Sequence, residues 1–346
     1  MRLYRTRLYE MYPSDALVLP SKAKGWRVHF RQPESTIHNL DQVNTLASRR
    51  NGEFIAQTTS LSQGCICNTY QPEVVIEAHS RLVAQSASSL IIAAKCLLDG
   101  ELTIHDEYPV IPHDISERDR FNPDESEHEL VRSISTSFVA AAAQVAAKAT
   151  YRRYWPPSLA KYWLSLRICS VPRYSHHPTY GQRFTVSNDP IHHAMMAQAI
   201  VAGYSAIEEV GLEIRATREN PSKINGEWNP LVLNDLKNRL QSQKIDPYMT
   251  LAWHVRNFPS RIEKRYGLPS GDKAWWAHHD IRDRMVKVTD AIHYASLLRS
   301  KVSAHASSRL TKSLKLTDVY NVQFLARRLL LGSLSCWEKL VAGKLG

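Results

Sequence analysis

Two residues near the C-terminal end of the chain combine a permanent positive charge with a group that can transfer a proton. Arg299 and His305 lie six positions apart, with five residues between them, in the segment LLRSKVSAH. An arginine guanidinium stays charged and can bind two phosphate oxygens through parallel hydrogen bonds. Histidine titrates near neutral pH, so it can accept or donate a proton. Together, these residue types can stabilise a crowded phosphorane and move a proton without a metal ion.

The sequence around Arg299 predicts a long helix that is buried along one face. Apolar residues recur there at gaps of three and four, which is typical of an amphipathic helix, and we predict that it runs from about residue 272 to 306. The apolar positions are Ile281, Met285, Val288, Ile292, Ala295 and Val302. Arg299 occupies this stripe, and a guanidinium there is costly unless an acid pairs with it or chemistry uses it. Glu208 and Glu209 are the candidate pairing acids.

The Arg-x5-His spacing, with YSAIE at residues 204–208 and DAIHYASLLRSKVSAH at residues 290–305, resembles the HEPN superfamily. The resemblance covers residues 191–346 and implies an all-α domain built as an up-and-down helical bundle. Many members are metal-independent ribonucleases of bacterial toxin and antiviral defence systems. RNA is then the expected partner, together with a homodimer and an antitoxin or other defence-system protein. No cofactor is implied.

The resemblance assigns Arg299 and His305 as the catalytic pair. The implied reaction is attack by the ribose 2′-hydroxyl on the adjacent phosphate, which leaves a cyclic phosphate and a 5′-hydroxyl. Ser300 is the third candidate, at a position where ribonuclease members usually carry Asn, Asp or His. Lys301 and Arg309 flank the motif as candidate RNA-binding residues.

Three interpretations of the motif remain open from the sequence. Six residues place Arg299 and His305 about 120° apart on a straight helix, so a joint site needs a helix end near His305 or a two-fold axis between subunits. Alternatively, the domain is an inactive HEPN-like module for nucleic-acid or nucleotide binding or for dimerisation. In the third interpretation, Arg299 pairs with a buried acid and has only a structural role. Spacing cannot decide, because the family motif is Arg-x(4-6)-His, and Arg31 and His38, with six residues between them, also match it in a segment expected to be irregular.

The charge balance favours an anionic partner without proving one. Lys and Arg number 44 against 33 Asp and Glu, which gives a net charge of +11. RNA fits such a balance, but so does a solvated basic surface. Arg152 and Arg153 alternate with aromatic residues in YRRYW, as cations do in single-strand nucleic-acid sites. The alternative is that Trp155 and Trp163 anchor the core and their basic neighbours reach water.

The length of 346 residues predicts two domains of a mainly α protein. We place the first at residues 1–185, with short strands or irregular structure at 1–72, helices over 73–172, and a linker that extends to about 190. The HEPN-like domain occupies 191–346. In the first domain, Pro72 is expected to open a helix that Gly100 closes, and a second helix is expected over 125–150.

In the second domain we expect a helix over 192–214 whose inward side includes Met195, Ala199, Ala202, Ala206 and Val210. Shorter helices are expected at 231–243 and 248–258. After the central helix, Thr317 and Asp318 are expected to cap a final helix that runs to about Leu340.

The remaining residues of chemical interest predict no metal site. Five cysteines, an odd number mostly in apolar runs, indicate reduced packing residues. Cys65 and Cys67 form a lone C-x-C motif, and in the pairs at 192–193 and 278–279 adjacent histidines face different sides. The N-terminus lacks a signal-peptide core, and no run reaches about 18 apolar residues. These features predict a cytoplasmic protein without a membrane partner.

Overall fold

A computed structural model describes most of the second half of the chain and parts of the first. The described residues are 2–9, 21–31, 36–39, 56–62, 65–70, 73–102, 111–113, 139–171, 190–256, 267–269, 281–304 and 314–337. Their structure is mainly helical, which confirms the predicted class. The described helices are α1 Arg81–Asp99, α2 Val139–Ala149, α3 Trp155–Ile168, α4 Pro190–Glu209, α5 Pro230–Ser242, α6 Val288–Ala304 and α7 Leu316–Ser333.

The described strands form four separate antiparallel sheets. They are β1 Arg2–Tyr9, β2 Ser21–Ala23, β3 Trp26–Arg31, β4 Thr36–Asn39, β5 Ala56–Ser62, β6 Cys65–Tyr70, β7 Glu73–Ala78, β8 Ile111–His113, β9 Lys223–Ile224, β10 Glu227–Trp228, β11 Thr250–Arg256 and β12 Ile281–Lys287. The strand orders are β2-β3-β7-β1-β8, β4-β6-β5, β10-β9 and β11-β12. The short strands predicted for residues 1–72 therefore belong mostly to two organised sheets.

The chain divides into two compact units at a different point from the predicted linker. The first unit takes its described residues from Met1–Lys95 and Thr103–Arg153, and the second from Cys96–Leu102 and Tyr154–Lys344. Helix α3, which was assigned to the first domain, therefore belongs with the C-terminal helices. The last turn of α1 also belongs to the second unit.

In the first unit, the helix expected to begin at Pro72 begins later, at Arg81. Residues 73–78 instead form β7, which pairs with both β1 and β3. The segment EVVIEA is rich in β-branched residues, which favour a pleated strand. Ile76 and Ala78 are fully buried and are two positions apart, as residues on one face of a strand are. The helix expected over 125–150 is described only as α2, and residues 114–138 lie outside the described residues.

Helix α1 is long and apolar enough to cross a membrane by length and composition alone. In its most apolar window, 61% of the residues are buried inside the structure. A core helix of a globular protein has the same character, so composition does not by itself indicate a membrane span.

The second unit is built on α3 and α4, which pack antiparallel. The Ser158 hydroxyl donates to the carbonyl oxygen of Ala206 at 2.7 Å, and the Ser165 hydroxyl donates to that of Ala199 at 2.7 Å. The partner numbers fall as the donor numbers rise, which is the antiparallel order. A Cβ atom on Gly203 would lie only 3.1 Å from the Ser165 hydroxyl oxygen, so a glycine permits this close approach. Helices α6 and α7 also pack against α4.

The central helix is shorter than predicted, because residues 281–287 form a strand. Strand β12 pairs with β11 along all seven residues, so Thr250 lies opposite Lys287 and Arg256 opposite Ile281. The helix predicted over 248–258 is thus also wrong. Met285 is 64% exposed, whereas Val288, Ile292 and Ala295 are fully buried. The apolar spacing crossed the boundary between β12 and α6 by coincidence.

Several other predictions for this unit can be compared with the structure. Helix α5 confirms the helix at 231–243; Pro230 is its first residue, and the Asn229 side chain accepts from the Leu231 N–H at 3.1 Å. Helix α7 begins one residue before Thr317, and the Asp318 carboxylate accepts from the Lys315 N–H at 2.9 Å. Four of the five residues expected to face inward are buried, three of them in α4 and Val210 just after its end, but Met195 is 41% exposed.

Candidate functional site

Arg299 lies near the C-terminal end of α6 and pairs with Glu208 in the last turn of α4. Its Nη2 is 3.2 Å from Glu208 Oε1 and 3.4 Å from Oε2. The Arg299 side chain is 39% exposed and that of Glu208 is 28% exposed, so the pair lies at the rim of the helix contact. Of the two acids that the sequence offered, the structure selects Glu208.

The contact between α4 and α6 holds Glu208 in place. Ser205 donates to Glu208 Oε2 at 3.2 Å from one turn earlier in α4. Tyr204, in the same turn, is buried and hydrogen-bonded to Ser296 of α6, and its hydroxyl oxygen accepts from the Ile214 N–H at 3.2 Å. Burial raises the pKa of Tyr204, so its phenol stays neutral. Segments 204–208 and 290–305, which carry the resemblance, thus meet at this contact.

The guanidinium of Arg299 is only partly used by its neighbours. Among the described residues, the Arg299 guanidinium makes all of its polar contacts through Nη2. Its Nε is buried and has no hydrogen-bond partner. Because a guanidinium has five N–H donors in a planar fork, the two donors of Nη1, which no described residue engages, are able to bind an oxyanion without loss of the Glu208 contact, whereas the buried Nε is closed to solvent.

The other residues of the motif are described only in part. Helix α6 ends at Ala304, so His305 and Arg309 lie outside the described residues. The Ser300 hydroxyl donates to the carbonyl oxygen of Leu297 at 2.9 Å, which is a bond within the helix. Lys301 is half-buried and already has a partner. The structure therefore unites Arg299 with Glu208 and leaves its relation to His305 as a prediction.

The remaining sequence candidates lie elsewhere. Glu209 forms its own ion pair with Lys161 of α3, at 2.5 Å, and not with Arg299. Arg152 and Arg153 are exposed and belong to the first unit. Trp155 is buried, as the core-anchor interpretation of this segment predicted, whereas Trp163 is only half-buried.

Sequence reasoning missed a second polar cluster, at the N-terminal end of α6. Buried His293 has its Nε2 3.0 Å from the Ser222 hydroxyl oxygen, and its Nδ1 has no partner. Trp228 packs its ring edge-on against His293 and donates from Nε1 to Asp290 at 2.7 Å. Burial, with the charge of Lys223, lowers the pKa of His293 to about 4. The only sequence signal was the position of His293, one residue after the buried Ile292.

The contact between His293 and Ser222 does not support a hydrolytic dyad. The Ser–His distance suits a nucleophile and base, but no described residue supplies the third group that orients such a base. A base with a pKa of about 4 also accepts a proton poorly near neutral pH. The cluster attaches the β9–β10 hairpin to α6.

Within the described ranges, no three His, Cys, Asp or Glu residues lie close enough together to hold a metal ion. Cys96, Cys169 and Cys336 are buried and form no disulfide, which confirms the packing role predicted for these three. Burial raises the pKa of the Cys169 thiol to about 11, so it remains protonated at neutral pH.

Comparison with known proteins adds no family assignment: no protein-family model, no curated protein and no solved structure matches this chain.

Proposed function

We propose that this chain is a metal-independent endoribonuclease of HEPN type. In this proposal, Arg299 binds the phosphate and stabilises the phosphorane, His305 transfers a proton, and Ser300 lies beside them. Helices α3, α4, α6 and α7 form the HEPN-like bundle. The protein acts in the cytoplasm on RNA, within a toxin or antiviral defence system that supplies an antitoxin or another partner.

The observation that supports this proposal best is the incomplete use of the Arg299 guanidinium. An arginine placed for stability alone is expected to fill its donors with carbonyl or carboxylate oxygens. Arg299 instead reaches one carboxylate through one nitrogen and remains 39% exposed. In the proposed reaction, Glu208 is a positioning residue that fixes the guanidinium plane. The Nη1 donors then face the phosphate.

A second candidate is the HEPN-like module that binds nucleic acid without cutting it. Two observations favour it: Glu208 compensates the charge of Arg299, and the Ser300 hydroxyl is engaged by its own helix. Such a module retains the electrostatic affinity for RNA but lacks turnover. Binding and cleavage must therefore be measured separately.

Incubation of the purified protein with total RNA in EDTA tests the proposal. We expect fragments with cyclic-phosphate and 5′-hydroxyl ends, and no cleavage by His305→Ala. If His305→Ala cleaves as fast as the wild-type protein, the assignment fails. RNA that binds without being cut supports the second candidate.

The salt dependence of RNA binding measures the phosphate contacts in either case. The logarithm of affinity for single-stranded RNA is expected to fall linearly with log salt, with a slope of about −0.7 per phosphate neutralised. Arg152→Ser with Arg153→Ser flattens this slope if those cations line the approach to the site. His305→Ala leaves the slope unchanged, because a neutral histidine neutralises no phosphate.

A further inference from the structure

The outer edge of β11 is closed by a side chain of the same unit. The His254 N–H donates to the Asn321 side-chain oxygen at 2.8 Å, and the Asn321 amide donates to the His254 carbonyl oxygen at 2.7 Å. The peptide groups of His254 therefore point away from β12. In an antiparallel pair, residues alternate between facing the partner strand and facing away from it. His254 is thus one of the outward-facing positions.

The same alternation identifies an open edge on β12. Asp283 lies opposite His254 and Met285 lies opposite Ala252, so their peptide groups also point outward. The bond from the Val288 N–H to the Met249 carbonyl oxygen, at 3.0 Å, falls on the inward positions and fits this pattern. Within the described part of the chain, this sheet has no third strand. Met285, in the middle of the edge, is 64% exposed.

We propose that the β12 edge pairs with β12 of a second copy, antiparallel about a two-fold axis at Met285. In this register, Asp283 lies opposite Lys287 of the partner subunit, and the symmetry repeats the pair. Two opposite-charge pairs then flank a central contact between the two Met285 positions. Arg284 lies opposite an apolar valine at position 286 of the other copy. The result is a continuous four-stranded sheet.

The charge pattern of β12 selects this register over its neighbours. An axis at Asp283 places two aspartates opposite each other, and an axis at Arg284 does the same with two arginines. An axis at Lys287 places two lysines together, and an axis at Val286 gives no opposite-charge pair. Like charges directly opposite destabilise a strand pair, so among the five registers centred on residues 283–287 the Met285 register alone is both complementary and free of repulsion.

The apolar face of α6 is not available for pairing with a second copy. The apolar stripe of α6 is buried inside its own unit, as the full burial of Val288, Ile292 and Ala295 shows. Natural sheet edges often carry lysines that prevent pairing. Here an aspartate lies two positions from Met285 on one side and a lysine two positions away on the other, which favours the chain's own copy over a generic strand. This inference does not depend on RNA cleavage.

Sedimentation of the full-length protein over a range of concentrations tests the proposal. We expect the weight-average mass to rise from 39.4 kDa toward twice that value. Met285→Pro removes an outward N–H without touching the bonds between β11 and β12, so it is expected to weaken the dimer at least about tenfold while β11 stays paired. A wild-type mass that stays at 39.4 kDa up to the highest soluble concentration overturns the proposal.

Exchange of the charges at Asp283 and Lys287 tests the proposal even if Met285→Pro does not fold. Asp283→Lys and Lys287→Glu each create two like-charge pairs, so each is expected to weaken the dimer, whereas the double exchange restores it. Arg218→Glu reverses a charge of the same kind on an exposed loop and is expected to leave the association unchanged. If none of the three single variants, Met285→Pro, Asp283→Lys and Lys287→Glu, weakens the association, the contact lies on another surface and the register is refuted.

Discussion

Arg327 and Arg299 both extend from helices of the second unit, but the fold uses them very differently. Arg327 is 9% exposed; its Nε donates to the Leu97 carbonyl oxygen at 2.8 Å, and its Nη2 donates to that of Leu98. Its guanidinium also lies 5.6 Å from the ring centroid of Trp337. Among the described residues, Arg299 contacts only the carboxylate of Glu208, and its buried Nε has no partner.

This difference makes Arg327 a structural residue, whereas stability does not explain the position of Arg299. Arg327 satisfies carbonyl groups at the C-terminal end of α1, where helix carbonyls lack partners and positive charge is favourable. The partly exposed Arg299–Glu208 pair contributes at most about 1 kcal/mol, and a buried unpartnered N–H offsets some of that gain. Arg299 therefore costs the fold about as much as it contributes, and the proposed function gives it a role that stability does not.

Replacement of Arg327 is expected to have the largest effect on stability. Arg327→Met keeps most of the side-chain volume but leaves the Leu97 and Leu98 carbonyl groups without donors. We expect a loss of about 3–5 kcal/mol, because hydrogen bonds to charged donors are the stronger kind. The denaturation midpoint in urea measures this loss. A midpoint within error of the wild-type value would contradict the structural role given to Arg327.

His293 extends the comparison to a titrating group in the same helix as Arg299. Its pKa falls from 6.5 to about 4 on folding, so between these pH values the unfolded chain binds a proton that the folded chain excludes. Stability therefore falls as pH decreases from 6.5 to 4, by about 3 kcal/mol from this residue, and is unaffected by it above 6.5.

The difference between wild-type and His293→Gln midpoints across this pH range isolates that contribution. The glutamine variant is expected to lose less stability on acidification. Parallel pH curves for the two proteins contradict the burial argument. Lys223 and Asp290 are the charged groups that face His293, and both remain in the variant.

Gly100 tests how closely Arg327 packs against the end of α1. Its φ is +80°, and an added Cβ would lie 2.8 Å from the guanidinium carbon of Arg327. Gly226 is the matched control, because its φ is +88° and an added Cβ would meet nothing within 4 Å. Gly226→Ala is expected to cost about 1 kcal/mol from backbone strain alone. Gly100→Ala is expected to cost at least twice as much. Equal losses of stability in the two variants would show that the Arg327 side chain moves aside at little cost.

The sequence predicted the parts of this site that depend on helical periodicity. Fully buried Val288, Ile292 and Ala295 follow the predicted stripe, and pairing of Arg299 with Glu208 was one of the alternatives. Long-range strand pairing was not predictable in the same way. Met285 fitted the helical spacing, but its backbone lies opposite Ala252 of β11, and no local pattern encodes that partner.

The hydrogen bonds from the Arg327 and Asn321 side chains to distant backbone groups also could not be predicted from the sequence. Arg327 is separated from Leu97 by 230 positions in the chain, and Asn321 from His254 by 67. Such contacts depend on the packing of whole elements, so an arginine or asparagine in an apolar helix indicates only that some partner is needed.

Glu208 and Glu209 give the smallest expected effect on stability and a sharp contrast in activity. Glu208→Gln and Glu209→Gln each remove one partly exposed ion pair, so each is expected to cost less than about 1 kcal/mol. Only Glu208 contacts Arg299, whereas Glu209 pairs with Lys161. RNA cleavage is expected to slow at least tenfold in Glu208→Gln and to stay near the wild-type rate in Glu209→Gln. Equal rates would remove the positioning role of Glu208.

Paired measurements on Arg299→Ala, of its urea midpoint and of its rate of RNA cleavage in EDTA, test the central claim most directly. The account predicts a stability within about 1 kcal/mol of the wild-type protein and cleavage reduced at least about a hundredfold, since the guanidinium stabilises charge that develops in the transition state. A variant that loses several kcal/mol of stability but cleaves at the wild-type rate when folded would contradict it and would make Arg299, like Arg327, a structural residue.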